Sequence, residues 1–392
     1  MRECVIIDGV RSANVRAHKD KGWFRNLAPD EILTRVYDAL FVRNPKVRPE
    51  DIDCVCCGCS HPTDIQFDIG RLAWLAGGFP EQTATYTLTQ MCPSGMAVTE
   101  NAARAIMCGE GDIFIASGAE DMLKVPQSTN CIPPARVMKK YGVEGLNMGF
   151  TAEKVAALWK VSRKDQENMA LWSHRRAHAA TEAGKFKGEI VPIEGVDEAG
   201  KPFLVDRDQW IRPDVSLEEM AGMKTPFRAD GVVTAATSSP LSSGACALLL
   251  MSRDKADELG LDYHVKYAGG ALAGCDPSIM GIGPIYAVPK LLKQTGLTAK
   301  DIDLWELNEA FASQSLAVIR ELGLGENAPF ENINVWGGAL ALGHPQGQSG
   351  ARIIVTLNSI MKNDYPQAKY GVATLCGGLG NANAILLERV RK

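Results

Sequence analysis

The sequence predicts an α/β protein in which one chain topology occurs twice. Strand-like apolar runs alternate with amphipathic helical runs along the chain, and one succession of motifs recurs in the second half. Such alternation is typical of α/β proteins with buried sheets. With 392 residues, the chain is long enough for two or three domain-sized units and a large core.

The predicted elements are short strands and helices of ordinary length. Strand composition is found in CVIIDGV, DCVCCG, IFIASG, ACALLLMS, HVKYAGGAL, LWELN and GVATLCGG. Helical periodicity covers residues 29–42, 95–107, 164–183, 253–259, 285–295, 310–321 and 349–361.

The internal repeat consists of four features that occur in the same order in both halves. VRPEDIDCVCCGCS and LTAKDIDLWELNEA share a strand that follows Asp-Ile-Asp. CPSGMA and GQSGAR come next, and each opens a helix. Each helix then leads to a strand with a Gly-rich end, in SGAED and LCGGLGNA. The order predicts two halves of one topology. Residues 121–243 have no counterpart and are interpreted as a loop-rich insertion.

Composition and charge exclude several classes of protein. Hydrophobic residues make up 46% of the chain, charged residues 22%, and the net charge is -4. These values are ordinary for a globular protein and give no nucleic-acid footprint. Because no signal peptide and no long apolar run is recognisable, we expect a cytoplasmic protein without a membrane span. The eleven cysteines should then be mostly free thiols.

The cysteine-rich run at Cys54, Cys56, Cys57 and Cys59, with His61 behind it, suggests a metal site at first sight. Side chains alternate between the two faces of a strand, so the first two thiols and the last two should point in opposite directions. Zinc sites usually add a second ligand pair further along, and none is recognisable. We therefore predict no metal site and interpret the run as small buried side chains.

Cys92 is followed at once by Pro93, in a run of small residues that leads into a helix. Proline at the first helical position is preorganised for the helix and gives up only an N–H without an intrahelical acceptor. Cys92 would then lie near the N-cap, where the helix dipole favours a negative charge. This placement predicts a nucleophilic thiol of lowered pKa. A small buried residue at a helix start is the alternative.

Three further polar side chains follow a strand or precede a helix. His344 lies in a Gly-rich loop before a helix, and a histidine can take a proton from a thiol. Cys376 ends a strand, and the N–H groups of the glycines after it can receive an oxyanion. Asn308 also ends a strand, where its amide can position a water or a carbonyl. His174 and His178, on a polar helix, are instead expected to be solvated.

Two cysteines, a histidine and an asparagine in such positions suit acyl-thioester chemistry. One thiol would carry the acyl group, the histidine would activate it, and the other thiol would move a proton. The turn CGGLGN also has the composition of a phosphate loop, but the Walker lysine is missing and the GxGxxG spacing does not fit.

Taken together, the motifs resemble those of the thiolase family (acetyl-CoA acyltransferases) over essentially the full length. The matching segments are CPSGMAV, MGFTAEKVA, NEAFA, GGALALGHPQGQSGAR and CGGLGNA. The resemblance implies two βαβαβαββ halves packed as a five-layered α-β-α-β-α sandwich, with an inserted loop domain that binds CoA. The expected domains are residues 1–120 plus 244–260, the loop domain 121–243, and the second half 261–392.

Each catalytic role is carried over by position. Cys92 resembles the nucleophile that is acylated, and His344 resembles the base that activates it. Cys376 is similar to the acid/base that serves the α-carbon or the incoming thiol. Asn308 resembles the residue that holds an oxyanion-hole water, and the N–H groups of Cys92 and Gly378 would form a second oxyanion hole.

The CoA contacts and the reaction are likewise implied by the resemblance. Met148, Arg212, Phe227 and Ser239 fall where the family contacts CoA. The reaction would be ping-pong: a 3-ketoacyl-CoA and CoA give acetyl-CoA and a shortened acyl-CoA, or the reverse Claisen condensation occurs. CoA is then a co-substrate, and no metal or permanently bound cofactor is implied. The expected assembly is a homodimer or a dimer of dimers.

The sequence departs from the family pattern at Pro93, Asn147, Trp336 and Leu379, and in TAATSSPLSSGA at 234–245. These changes are predicted to reshape the pocket while the four catalytic groups stay intact. Two alternatives remain open at this point. One is a ketosynthase-like condensing enzyme, and the other is a non-catalytic thiolase-like subunit that binds CoA or lipid, or that acts only with an accessory protein partner.

Overall fold

The computed structural model describes residues 2–127 and 133–390. Its first part contains β1 (Cys4–Arg11), β2 (Val15–Arg16), α1 (Pro29–Arg43), β3 (Cys54–Gly58), α2 (Ile69–Ala76), β4 (Ala84–Leu88), α3 (Ser94–Cys108) and β5 (Ile113–Asp121). Next come α4 (Ala135–Tyr141), α5 (Met148–Leu158), α6 (Arg163–Glu182), β6 (Ile193–Val196), β7 (Pro202–Val205) and α7 (Leu217–Ala221). The last part contains β8 (Ser242–Ser252), α8 (Arg253–Glu258), β9 (Val265–Gly274), α9 (Pro284–Thr295), β10 (Leu304–Leu307), α10 (Ala312–Glu321), α11 (Ala339–Leu342), α12 (Gln346–Asn363), β11 (Tyr370–Gly377) and β12 (Asn381–Arg389).

The strand order confirms the predicted duplication. The first half-sheet has the order β4-β3-β5-β8-β1 and the second has β10-β11-β12-β9. In the first half-sheet β3 is parallel to β5, and in the second β10 is parallel to β11. The next two pairings are antiparallel in both: β5–β8 and β8–β1 in the first, β11–β12 and β12–β9 in the second. Ile333 bridges Trp305 in parallel, in the place that β4 takes in the first half. A short antiparallel pairing of β1 with β9 joins the two half-sheets.

The helices complete the expected five layers. α3 and α12 lie side by side and contact strands of both half-sheets, so they form the middle layer. α1 packs on the first half-sheet, and α9 packs on the second. The two middle helices approach each other closely at Gly95, where a Cβ would lie only 2.8 Å from the Gly347 carbonyl oxygen and from the Ala351 nitrogen. Glycine at this position therefore permits the approach. This packing brings the start of α3 next to the start of α12.

The segment between β5 and β8 leaves and re-enters the sheet through neighbouring antiparallel strands. It holds more regular structure than the predicted loop-rich insertion, because α4, α5, α6, α7 and the β6–β7 hairpin all lie within its described residues. Asn147 caps α5 by accepting from the Gly149 N–H, and Ser162 caps α6 by accepting from the Asp165 N–H. In the described part of the chain, no helix is long and apolar enough to cross a membrane.

The cysteine-rich strand β3 shows the predicted alternation. The thiols of Cys54 and Cys56 lie 3.9 Å apart on one face. Cys57 lies on the other face and packs against Gly70, where an added Cβ would lie 2.5 Å from the Cβ of Cys57. Within residues 2–127 and 133–390, no group of three or more His, Cys, Asp or Glu side chains is placed to hold a metal ion.

Candidate active site

One cavity of about 690 Å³ brings together six of the predicted site residues. Met148, Arg212, Phe227 and Ser239 line it together with Cys92 and His344. Cys92 and His344 are the most buried of these six residues, with 6% and 4% of their surface exposed. The remaining lining is largely apolar, as is usual for sites that bind small molecules and cofactors.

Cys92 lies in the turn that joins β4 to α3. The prediction that Pro93 is the first helical residue is wrong by one position, because Pro93 is the N-cap and the helix begins at Ser94. Met91 has the left-handed conformation, with φ 60°. The Ser94 hydroxyl stabilises this turn: it donates to the Met91 carbonyl at 2.5 Å and accepts from the Gln90 N–H at 2.8 Å. The nucleophile candidate therefore sits on a fixed, strained turn.

The end of β11 packs directly on this turn. A Cβ on Gly377 would overlap Cδ of Pro93, so only glycine lets the strand come this close. The backbone N–H of the next residue, Gly378, lies near enough to the Cys92 sulfur to lower the pKa of the thiol. An N–H group near the Cys92 sulfur can stabilise negative charge there, which is what the predicted oxyanion hole requires.

The predicted lowering of the Cys92 pKa is wrong for this site. Burial raises the pKa of the thiol to about 11, and the negative charge of Glu120 acts in the same direction. The N–H groups of Gly378 and of Cys92 itself lower the pKa, but by less than burial raises it. A protein interior disfavours the thiolate more strongly than the end of one helix favours it. The resting nucleophile is therefore a thiol.

His344 is held at both its backbone and its ring. Its backbone N–H donates to Oγ of Ser242 at 3.2 Å, so the altered segment 234–245 still supports the histidine loop. Its Nδ1 lies 2.6 Å from Oγ of Ser349, whose hydroxyl donates to the Pro345 carbonyl at 2.9 Å. With the Ser349 hydroxyl donating to Pro345, Nδ1 donates to Ser349 and Nε2 keeps its lone pair.

The electrostatics of His344 agree with a neutral base. Burial, together with the positive charge of Arg352, lowers the pKa of the ring to about 3. The ring is therefore unprotonated at neutral pH. Nε2 lies 3.5 Å from Nδ2 of Asn308, and Oδ1 of Asn308 is buried without a hydrogen-bond partner among the described residues. Nδ2 of Asn308 is a donor within reach of the Nε2 lone pair, so the group left open beside the ring is the Asn308 Oδ1 acceptor, which a water or a substrate group would complete.

Glu309, the residue after Asn308, ties the histidine loop to the rest of the fold. Its carboxylate accepts from the Leu340 N–H at 3.1 Å, from the Ser173 hydroxyl at 2.7 Å and from the Asn334 amide at 2.7 Å. The absent side chain of Gly338 leaves room for this carboxylate. The motif NEAFA therefore positions its asparagine and the histidine loop through one buried acid.

Cys376 lies behind the cavity wall rather than on it. It is fully buried in an apolar cluster with Met280, Phe311 and Ala310, all of which line the cavity. Burial raises the pKa of this thiol well above its ordinary value, and the neighbouring Cys92 adds to the effect. The prediction from the sequence that Cys376, at its strand end, is exposed to the cavity is therefore wrong: its side chain is 1% exposed and is absent from the lining, although Cys92 is its neighbour.

The interpretations of His174 and Trp336 from the sequence need correction. His174 is not solvated: it lines the cavity, accepts from the Arg212 N–H at 3.2 Å, and burial lowers its pKa to about 4. Trp336 does not reshape the cavity, because it packs edge-on against Phe186 in the core and lies outside the lining. The burial of His174 on α6 could not be predicted from the sequence around it, because Arg212, which covers it, comes from a distant loop.

Leu379 and Gln346 complete this comparison. Leu379 is half exposed and has φ 64°, and it too lies outside the lining. Gln346 lines the cavity with only 6% exposure, and the sequence interpretation did not single it out. A polar side chain at the first position of the helix after His344 was the available signal.

Comparisons with known proteins agree with the fold. Family models described as the thiolase N-terminal domain and the thiolase C-terminal domain match residues 4–254 and 261–389. A 3-ketoacyl-CoA thiolase of Aeromonas hydrophila is 44% identical, and the match covers 100% of both chains. One of Marinobacter nauticus is 43% identical over 99% of both. The crystal structure of the Bacillus anthracis acetyl-CoA acetyltransferase matches with a TM-score of 0.88 at 36% identity, over 100% of this chain and 99% of that one. The chain belongs to the thiolase family.

Proposed function

We propose that this chain is an acyl-CoA C-acyltransferase that cleaves a 3-ketoacyl-CoA with CoA and catalyses the reverse Claisen condensation. The observation that carries the proposal is the cavity that holds Cys92, His344 and all four predicted CoA contacts. The printed names of its relatives, 3-ketoacyl-CoA thiolase and acetyl-CoA acetyltransferase, support the substrate class.

The first half-reaction begins at the Cys92 thiol. Nε2 of His344 takes the thiol proton as the sulfur attacks the keto carbon of the substrate, and the N–H groups of Gly378 and Cys92 stabilise the oxygen that becomes negative. The bond between the α- and β-carbons then breaks. The carbanion of acetyl-CoA takes a proton from the Cys376 thiol, and the shortened acyl group stays on Cys92.

The second half-reaction returns each group to its starting state. The Cys376 thiolate takes the proton of the incoming CoA thiol, which attacks the acyl-Cys92 thioester. The Cys92 sulfur leaves and recovers its proton from His344. A raised pKa suits Cys376 for this work, because a thiol that is protonated at rest can donate to a carbanion.

CoA would enter through the segment 121–243, which we propose as the CoA-binding loop domain between the halves 1–120 plus 244–260 and 261–392. Arg212 is exposed at the cavity, so its guanidinium can meet the phosphates or the adenine. Phe227 packs edge-on against Phe311 with ring centroids 6.4 Å apart and offers an apolar wall to the pantetheine. Met148 and Ser239 would line the same channel.

We further propose a homodimer formed through the β4 edge of the sheet. Among the described strands, β4 lies at the end of the sheet, and an open edge is a template for pairing with another chain. The surface beside it is unusually apolar, because α2 and the turn before it expose Ile65, Phe67, Leu72 and Leu75. Phe67→Asp should yield monomers in sedimentation equilibrium, while Val42→Asp, at an exposed position of α1, should leave the assembly unchanged.

The experiment that tests the activity is intact-mass analysis with peptide mapping. The protein is exposed briefly to a panel of acyl-CoA and 3-ketoacyl-CoA thioesters, with Cys92→Ser as the control. An acyl adduct confined to Cys92 and removed by free CoA would support the ping-pong thiolase. No adduct from any thioester, in a folded protein whose Cys92 can be alkylated, would overturn the proposal and favour a partner-dependent subunit.

A further inference from the structure

We infer that Gln346 determines acyl specificity and that the site selects acyl groups bearing a neutral oxygen, such as a hydroxyl, over plain alkyl and over carboxylate-tipped groups. This inference rests on the proposed thiolase function and extends it to the substrate class.

The side chain of Gln346 is oriented by the fold. The Ser60 hydroxyl donates to its Oε1 at 3.2 Å, and Gln346 lines the cavity while only 6% of it is exposed. Its Nε2 makes no hydrogen bond to any described residue, although an amide nitrogen has two protons to donate. A nearly buried donor without a partner in a ligand cavity indicates an acceptor on the ligand.

Gln346 lies at the acyl end of the cavity. It is the first residue of α12, two positions after His344. The following residue, Gly347, packs its carbonyl against Gly95 in the first turn of α3, directly after Cys92. The free amide therefore lies where the start of α12 meets the turn of the nucleophile. The exposed Arg212 is in contrast the group suited to the far, phosphate-bearing end of CoA.

Glu120 decides the charge of the preferred group. Its carboxylate lies beneath this corner and accepts from the N–H groups of Ser60 at 2.7 Å and Gly347 at 2.8 Å. Its field reaches the reaction centre, because its charge raises the pKa of Cys92. The Glu120 carboxylate would repel a carboxylate on the acyl group. A hydroxyl or keto oxygen can accept from the Gln346 amide without that repulsion.

The test compares kcat/KM for thiolysis of three substrates of equal chain length by the full-length protein. These are 3-oxohexanoyl-CoA, its analogue with a hydroxyl on the carbon beside the terminal methyl, and its analogue with a carboxylate in place of that methyl. The wild type should prefer the hydroxyl analogue. Gln346→Met, which keeps length and volume, should lose about 3- to 10-fold of that preference and keep its kcat/KM for the alkyl substrate.

Two further variants separate specificity from structure. Ser60→Ala should lose part of the preference, because the amide is no longer oriented. Gln127→Leu, at another polar position of the same cavity, should leave the preference unchanged.

Each result leads to one conclusion. An equal loss for all three substrates in Gln346→Met would overturn the inference, because the amide would then serve the common thioester. Turnover by the wild type without a hydroxyl preference would overturn it too, and would leave the proposed function standing. Absence of turnover with every thioester would instead refute the proposed function itself.

Discussion

Alkylation of Cys92 in the ligand-free protein should be slow at neutral pH and should accelerate through the alkaline range. Burial raises the pKa of this thiol to about 11, while a free cysteine has a pKa of about 8.5. A difference of about 2.5 units leaves roughly 300-fold less thiolate at neutral pH than a free thiol provides. Because the thiolate is the nucleophile, the alkylation rate should fall in the same proportion.

The assay is modification by iodoacetamide from about pH 7 to about pH 10, with the Cys92 peptide quantified by mass spectrometry. The rate should rise about tenfold for each pH unit without reaching a plateau. Cys108 is exposed and serves as the reference thiol in the same sample. A midpoint at or below about 8.5 would refute the reasoning, because the Gly378 N–H and the helix end would then outweigh burial.

His344→Ala provides the second half of this test. A neutral imidazole adds no positive charge beside the thiol, so the pH profile of the variant should stay within about twofold of the wild type. A tenfold slower reaction at neutral pH would instead indicate a thiolate–imidazolium pair at rest, which the buried, unprotonated ring excludes.

Three other outcomes follow from the same geometry. Cys376→Ala should still form acyl-Cys92 from acetyl-CoA, while steady-state turnover falls about 10²- to 10⁴-fold; equal loss of both steps would contradict the division of roles. Gly377→Ala should slow acylation by roughly 10²-fold in rapid-quench measurements, because the new Cβ displaces Pro93 and with it the nucleophile; an unchanged acylation rate would show that this packing does not position Cys92. Finally, the pKa of His344 is about 3 in the fold and 6.5 in the reference state, so the unfolded chain binds the proton first. The free energy of unfolding should therefore decrease by about 2–3 kcal/mol from this group as the pH falls two units below 6.5. The decrease should be smaller in His344→Gln by denaturant titration, and identical slopes would exclude His344 as its origin.

Much of the fold could be predicted because it depends on patterns that are local in the sequence. The two DID segments each lead into a parallel strand, β3 and β10, and the two small-residue motifs each open a middle-layer helix. The glycines of those motifs are required where the two helices meet, so the same residues signal both the repeat and the packing. Because each motif opens a helix, the positions of Cys92 and His344 near helix starts could be predicted from the motifs.

The features that could not be predicted arise from contacts between distant segments. The pKa of Cys92 depends on burial by the whole cavity, which no local motif reports, whereas the helix end that lowers it is visible in the sequence. His174 is predicted to be solvated because its helix is polar. The backbone of Arg212, which is distant in the sequence, covers it instead. Trp336 stands next to a catalytic motif in the sequence but is directed by Asp364 and Phe186 into the core.

The resting charges also restrict how the reaction can start. Transfer of the proton from Cys92, with a pKa of about 11, to His344, with a pKa of about 3, would cost about 11 kcal/mol as a separate step. A turnover of about 10 s⁻¹ corresponds to a barrier of about 16 kcal/mol in total. Attraction between the thiolate and the imidazolium offsets part of this cost, and the remainder favours proton transfer in concert with attack on the carbonyl carbon. The negative charge then passes directly to the oxygen at the Gly378 N–H, and the thiolate is never formed free in the apolar cavity.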